Sequence, residues 1–203
     1  AADMENISST IEHVDPQAFE TAVETVLNAE HVYIIGIRSC EPLARFLYFY
    51  LNMIRGNVIL LASTSTSEIF EQMIRIDERD AMIGISFPRY SMRTLKAMEF
   101  ANDRNAKVIS ITDTIHSPMC LYSSCNLMAR SEMVSIVDSL AAPLSLINAL
   151  VVALCLKRPD DVRKTLESLE DVWDNYQVYL KDEINFIDET TLSTPLQRER
   201  EQR

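Results

Sequence analysis

Apolar side chains along this chain fall into short unbroken runs, separated by longer segments in which they recur every three or four positions. Five runs read as strands: 31–36, 58–61, 81–86, 107–112 and 125–129. They are near-continuous rather than alternating, as in strands covered on both faces of a sheet. Between them lie helical patterns. Met4, Ile7, Ile11 and Val14 make a first stripe. Asp15-Pro16 then supplies an N-cap and a Pro at the first helical position, with Phe19, Val23, Val26 and Leu27 on the inner face. A helix from Ser39 to about Arg55 opens near Glu41-Pro42, and its aromatics Phe46, Tyr48, Phe49 and Tyr50 crowd several faces and should be largely covered. The Ser/Thr run 63–67 caps a helix from Glu68 to about Arg75, and Ser91 caps another reaching about Asn105. Ser117-Pro118 opens a short helical turn, and 134–156 reads as one long apolar helix. Pro159 begins an acid-rich helix whose stripe runs through Val162, Leu166, Leu169, Val172, Trp173, Tyr176 and Leu180.

Strands alternating with helices predict an α/β fold: a three-layer α-β-α sandwich around a five-stranded parallel sheet. Residues 1–187 are expected to form one domain, with no internal repeat. Residues 188–203 lack a core-forming pattern and read as a disordered tail. The opening Ala1-Ala2-Asp3-Met4 looks like the inside of a helix, as in a fragment of a longer protein.

Composition narrows the function. With 203 residues and 47% hydrophobic content, the chain can bury a substantial core. A net charge of −11 and a pI near 4.7 argue against nucleic-acid binding by this chain itself, although a local arginine cluster still sets a local potential. The N-terminus is polar and acidic, unlike a signal peptide. The longest apolar run, 140–156, carries Pro143, Ser145 and Asn148 and is short for a bilayer span of roughly 20 residues, so a buried or interface helix is expected and no membrane. Cys40, Cys120, Cys125 and Cys155 fit no metal-ligand spacing, which points to a reducing cytoplasm, with neither disulfide nor metal. Three glycines, Gly36, Gly56 and Gly84, leave no room for a dinucleotide fingerprint or a phosphate-binding P-loop, and there is no G-x-S-x-G elbow; no cofactor is expected.

Ligands of parallel α/β sheets gather beyond the carboxyl ends of the strands. Strand three ends in Gly84-Ile85-Ser86-Phe87-Pro88-Arg89-Tyr90-Ser91-Met92-Arg93-Thr94, a connection into a helix N-terminus. Such an end presents free N–H groups and the positive end of the helix dipole, an anion site in outline. Ser86, Ser91 and Thr94 add hydroxyls, and Arg89 and Arg93 add guanidinium groups suited to phosphate. Strand one ends Gly36-Ile37-Arg38-Ser39, where Gly36 permits close approach, Arg38 adds charge and Ser39 caps the next helix or donates to an anion. Two arginine- and serine-bearing loops therefore converge on one rim. A general base would come from His116, with Glu132 or Asp113 as partner; Glu132 serves equally well as a cap for the following helix. His13 and His31 lie in packing segments.

At Gly36-Ile37-Arg38-Ser39 and Ile85-Ser86-Phe87-Pro88-Arg89-Tyr90-Ser91, followed by Ile111-Thr112-Asp113 and Ser117-Pro118, the sequence resembles a sugar isomerase (SIS) domain, and more narrowly the effector domain of RpiR-type transcriptional regulators. The resemblance covers roughly 4–156. It implies a flavodoxin-like five-stranded sheet, a homodimer or higher homo-oligomer, and a phosphosugar or related acidic metabolite as ligand. It also implies DNA contact only through an N-terminal helix-turn-helix domain absent from this chain. Ser39, Ser86 and Ser91 match hydroxyl positions of the family. Where SIS enzymes usually show Ser-x-Ser-Gly-x-Thr, this chain has Pro88 and Arg89 in place of Ser and Gly, and Arg93 near an acid's place, which shifts anion binding onto Arg89. The expected ligand-binding residues are Gly36, Arg38, Ser39, Ser86, Arg89, Ser91 and Thr94. A sugar-phosphate aldose–ketose isomerase is the alternative.

Overall fold

The computed structural model describes residues 2–63, 65–132 and 138–179. Helix α1 (Ala2–His13) and α2 (Pro16–Asn28) precede β1 (Val32–Gly36). A 3-10 turn over Arg38–Cys40 then leads into α3 (Glu41–Ile54). There follow β2 (Val58–Leu60), α4 (Thr66–Gln72), β3 (Ala81–Ile85), α5 (Met92–Asp103) and β4 (Lys107–Thr112). A second 3-10 turn at Pro118–Leu121 precedes β5 (Cys125–Met128), α6 (Ala141–Lys157) and α7 (Pro159–Tyr176). Helix starts follow the capping residues. Asp15 accepts from the Gln17 N–H at 2.8 Å, Ser91 from Thr94 at 3.4 Å and Ser117 from Met119 at 3.3 Å.

The five strands pair in parallel in the order β2-β1-β3-β4-β5. Successive side chains point to opposite faces, so β1 to β4 feed two cores, while β5 at the edge feeds one through Cys125 and Leu127. Ile34, Ile83, Ile109 and Leu127 pack beneath α2, α3, α6 and the start of α7. Ile35, Met82 and Val108 pack beneath α4 and α5. Covering on both faces explains the unbroken apolar runs, and the expected three-layer sandwich is the architecture found.

Three expectations need correction. The helix expected over 134–156 begins at Ala141; residues 138–140 are not helical, and 133–137 lie outside the described residues. Pro143 sits in the first turn of α6, where its missing N–H costs no hydrogen bond; further inside the helix it would break one. The aromatics of α3 are not largely covered. Leu43, Ala44, Leu47, Leu51 and Ile54 form its inner face, which leaves Phe49 59% exposed. Only the first half of the α7 stripe packs: Val162 is buried and Leu166 half-buried, whereas Val172 and Tyr176 are exposed. The 188–203 segment lies outside the described residues. No single described helix is long and apolar enough to cross a membrane.

Candidate functional site

The sheet order places a switch point between β1 and β3. From β1 the chain leaves through α3 onto one face; from β3 it leaves through α5 onto the other. The connections diverge at the carboxyl ends of these two strands, the place where ligands of such sheets bind. Gly36 pairs with Ile85 in register, so the loops after β1 and β3 start at the same level. A Cβ on Gly36 would lie 2.5 Å from the Cys40 carbonyl oxygen and 3.0 Å from Ala44 Cβ. Only a hydrogen lets the 3-10 turn fold back against the end of the strand.

Both loops turn on an arginine in the left-handed region, Arg38 at φ 59° and Arg89 at φ 68°. The other described residues there are Asn57, Asn105 and Gln177. Asparagine adopts this conformation readily, but a long side chain with a Cβ does so at a cost of roughly 1–2 kcal/mol. Arg89, which stands where the family usually has Gly, thus keeps a glycine-like backbone while adding a guanidinium. The Arg38 side chain is exposed and makes no hydrogen bond or ion pair among the described residues, while its carbonyl accepts from the Glu41 N–H.

Ser39 does not cap α3; Cys40 holds that position and makes no side-chain capping bond. The Ser39 hydroxyl instead donates to Asp138 Oδ2 at 3.1 Å. Arg89 donates to the other oxygen, Asp138 Oδ1, at 3.3 Å. The Asp138 side chain is 12% exposed against 70% for Arg89, so the carboxylate lies inside the rim and the guanidinium reaches over it. Ser86, almost fully buried, accepts from the Ser91 N–H at 3.1 Å, and Ser91 in turn caps α5 through Thr94. Thr94 is buried, and its hydroxyl finds no hydrogen-bond partner among the described residues. The structure therefore brings Gly36, Arg38, Ser39, Ser86, Arg89, Ser91 and Thr94 to one edge of the sheet. Ser86 and Ser91 brace the loop from within, and Arg38, Ser39 and Arg89 face outward.

The loop after β4 borders this edge. Tyr90 donates its hydroxyl to Asp113 Oδ1 at 2.7 Å, and Thr112 donates to Ser117 at 2.9 Å. Burial, reinforced by the bond to Asp113, pushes the Tyr90 phenol up to about 12. The general-base candidates do not assemble. His116 is exposed, and Glu132 pairs with Arg130; no hydrogen bond joins His116 to Glu132 or Asp113 among the described residues. Glu132 does not cap α6 either, because the helix starts nine positions later than the acid. Asp138 and Tyr90 were not anticipated. Asp138 lies 99 positions from Ser39 and 49 from Arg89, and its only local signal is one acid beside an apolar run.

A cleft of about 770 Å³ at the opposite end of the sheet is lined by Glu20, Glu24, Glu30, Glu78 and Asp80 against Arg79 and Lys107, an excess of acid that makes it a poor setting for an anion. His31 belongs to that end, bonded to the buried Asp80 at 3.0 Å.

The strand order and the helices on both faces define a flavodoxin-like α/β domain. The SIS domain model matches residues 25–153, and the chain belongs to that family. Among curated proteins, a glutamine–fructose-6-phosphate aminotransferase (isomerizing) of Pyrobaculum aerophilum is 28% identical over 63% of this chain and 21% of its own length. An uncharacterised HTH-type transcriptional regulator of Caldanaerobacter subterraneus subsp. tengcongensis is 24% identical over 82% of this chain and 60% of its own. This chain thus spans less than two thirds of either curated relative. Among solved structures, the sugar isomerase domain of an RpiR transcription factor from Sphaerobacter thermophilus superposes with a TM-score of 0.79. It is 27% identical, over 84% of this chain and 94% of that one. Vibrio vulnificus NanR, complexed with ManNAc-6P, gives a TM-score of 0.75 at 21% identity, over 86% and 66%. The resemblance to an RpiR-type SIS domain holds.

Proposed function

We propose that this chain is the effector-binding and dimerising part of a bacterial RpiR-type transcriptional regulator, and that its rim holds the acidic group of a phosphosugar or related metabolite. One observation carries this reading: Ser39 and Arg89, from two separate loops, close on a single carboxylate, Asp138. Groups that converge on an internal anion have the geometry to hold an external one. Arg38 and Arg89 supply charge, Ser39 supplies a donor, and the α5 N-terminus with Thr94 supplies further polar groups. ManNAc-6P, with which NanR is complexed, is of the expected class.

Sensing fits better than isomerisation because no acid–base pair stands at the rim among the described residues, whereas an aldose–ketose isomerase must move a proton between two carbons. The identity to an isomerizing aminotransferase keeps turnover as the competing outcome. DNA contact would come from a helix-turn-helix domain preceding this chain in the whole regulator, with residues 1–187 as one unit. The apolar outer sides of α3 and α6 would join two copies.

The test is calorimetric titration with phosphosugars and sugar acids, followed by one-dimensional NMR of any binder for conversion. Arg89→Ala should weaken binding by about 1–3 kcal/mol, the range for a charge-assisted hydrogen bond, and Ser86→Ala should weaken it too by removing the brace that accepts from the Ser91 N–H. Unchanged affinity in both would remove the site from this loop, and conversion lost in His116→Ala or Glu132→Ala would make the protein an enzyme.

A further inference from the structure

We propose that Asp138 is an internal counter-anion of the rim, which a phosphate-bearing ligand must displace, and that its displacement loosens α1. The inference rests on the reading of the rim as an anion site. Each oxygen of Asp138 is held by a different loop, Oδ2 by Ser39 after β1 and Oδ1 by Arg89 after β3. A phosphate taking the same donors would stand against the carboxylate, and like charges at that range exclude one another. Ligand and Asp138 therefore compete for one set of groups.

The consequence reaches α1 through the next residue. Ser139 donates to Asp3 Oδ1 of α1 at 2.6 Å. At the other described end of the same connection, the Arg130 N–H donates to Thr10 at 2.9 Å and Asn6 donates to the Glu132 carbonyl at 3.3 Å. On this side α1 buries polar residues, Asn6 at 2% exposure and Thr10 at 8%, while Met4 and Ile11 are 74% and 69% exposed. These hydrogen bonds add to the packing of α1 on α6, and the residue that ties Asp3 is next to the rim's own carboxylate. A ligand that binds only when Asp138 is away from Ser39 and Arg89 favours the state in which α1 has lost its Asp3 tie.

The full 203-residue chain is titrated calorimetrically with inorganic phosphate and with glucose 6-phosphate, and amide hydrogen exchange is followed over residues 2–13. In Asp138→Asn, and in Asp138→Ser as a second replacement, phosphate should bind about three- to tenfold more tightly than in the wild type, the gain from freeing an ion pair and a hydrogen bond. Saturating phosphate should speed exchange in α1 of the wild type, and Ser139→Ala should speed it without ligand. If phosphate binds and Arg89→Ala abolishes it, yet both Asp138 variants bind no more tightly, the counter-anion is disproved and the rim stands. Ligand binding that leaves α1 exchange unchanged disproves the coupling. If neither ligand binds to the wild type or to any variant, the rim reading falls and takes this inference with it.

Discussion

At the scale of single residues, the rim is unusual for what it asks of its arginines. Arg38 and Arg89 hold left-handed backbone that glycine adopts freely, and both carry the positive charge of their loops. The strain and the charge can be separated at Arg89. Arg89→Gly and Arg89→Ala both remove the guanidinium and should lose anion binding to the same extent. Only the glycine relieves the strain, roughly 1–2 kcal/mol, and its looser unfolded chain returns about 0.4–1 kcal/mol of that. Urea denaturation should therefore find Arg89→Gly the more stable of the two by about 0.5–1 kcal/mol. Equal stabilities would mean that the loop relaxes around alanine. The ion pair with Asp138 does not upset this comparison, since both variants lose it equally and an exposed pair contributes about 0–1 kcal/mol.

Among the elements, the ends of β1 and β3 decide where the site lies, and two glycines set their packing differently. At Gly36 the obstacle to a Cβ is the Cys40 carbonyl oxygen, part of the backbone of the turn that carries Arg38 and Ser39. At Gly84 it is the thioether of Met98, a side chain with freedom to move. Gly36→Ala should thus cost about 1–3 kcal/mol of stability, the usual range for overpacking, and displace the rim. Gly84→Ala should cost less in the same denaturation series and leave anion affinity near wild type. A reversed order would show that the 3-10 turn yields more easily than α5. The start of α6 at Ala141 matters equally, because it frees Asp138 and Ser139 from the helix and lets their side chains reach the rim and α1.

For the whole molecule, the unmet requirement is apolar surface. Phe49 and Tyr50 on α3, and Val152 and Leu156 on α6, remain exposed at 59%, 37%, 56% and 46%, on two helices that pack against each other. A second copy related by a two-fold axis would bury the same patch on both chains. Light scattering at micromolar concentration should give a dimer or larger assembly. Phe49→Asp should shift it towards monomer without loss of helical circular dichroism, whereas a wild-type monomer would exclude the arrangement. The acidic surface, −11 overall, opposes association through long-range repulsion, so the oligomer should strengthen as salt is added.

The sequence determined the strands, the helices between them and the candidate loops, because these follow from local patterns: apolar runs, caps such as Asp15 and Ser91, and turns after Gly36 and Ile85. It could not give the neighbours of each strand, since parallel pairing joins segments remote in the chain and leaves no local mark. That the Arg38 and Arg89 loops share one rim followed from a parallel sheet, but the order β2-β1-β3-β4-β5, which makes their strands immediate neighbours, came only with tertiary structure. The same holds for Asp138, which local pattern treats as an interruption in an apolar helix. That helix begins only at Ala141, and the acid lies beside donors 49 and 99 residues away, an arrangement set by the three-dimensional path of the chain rather than by any period along it.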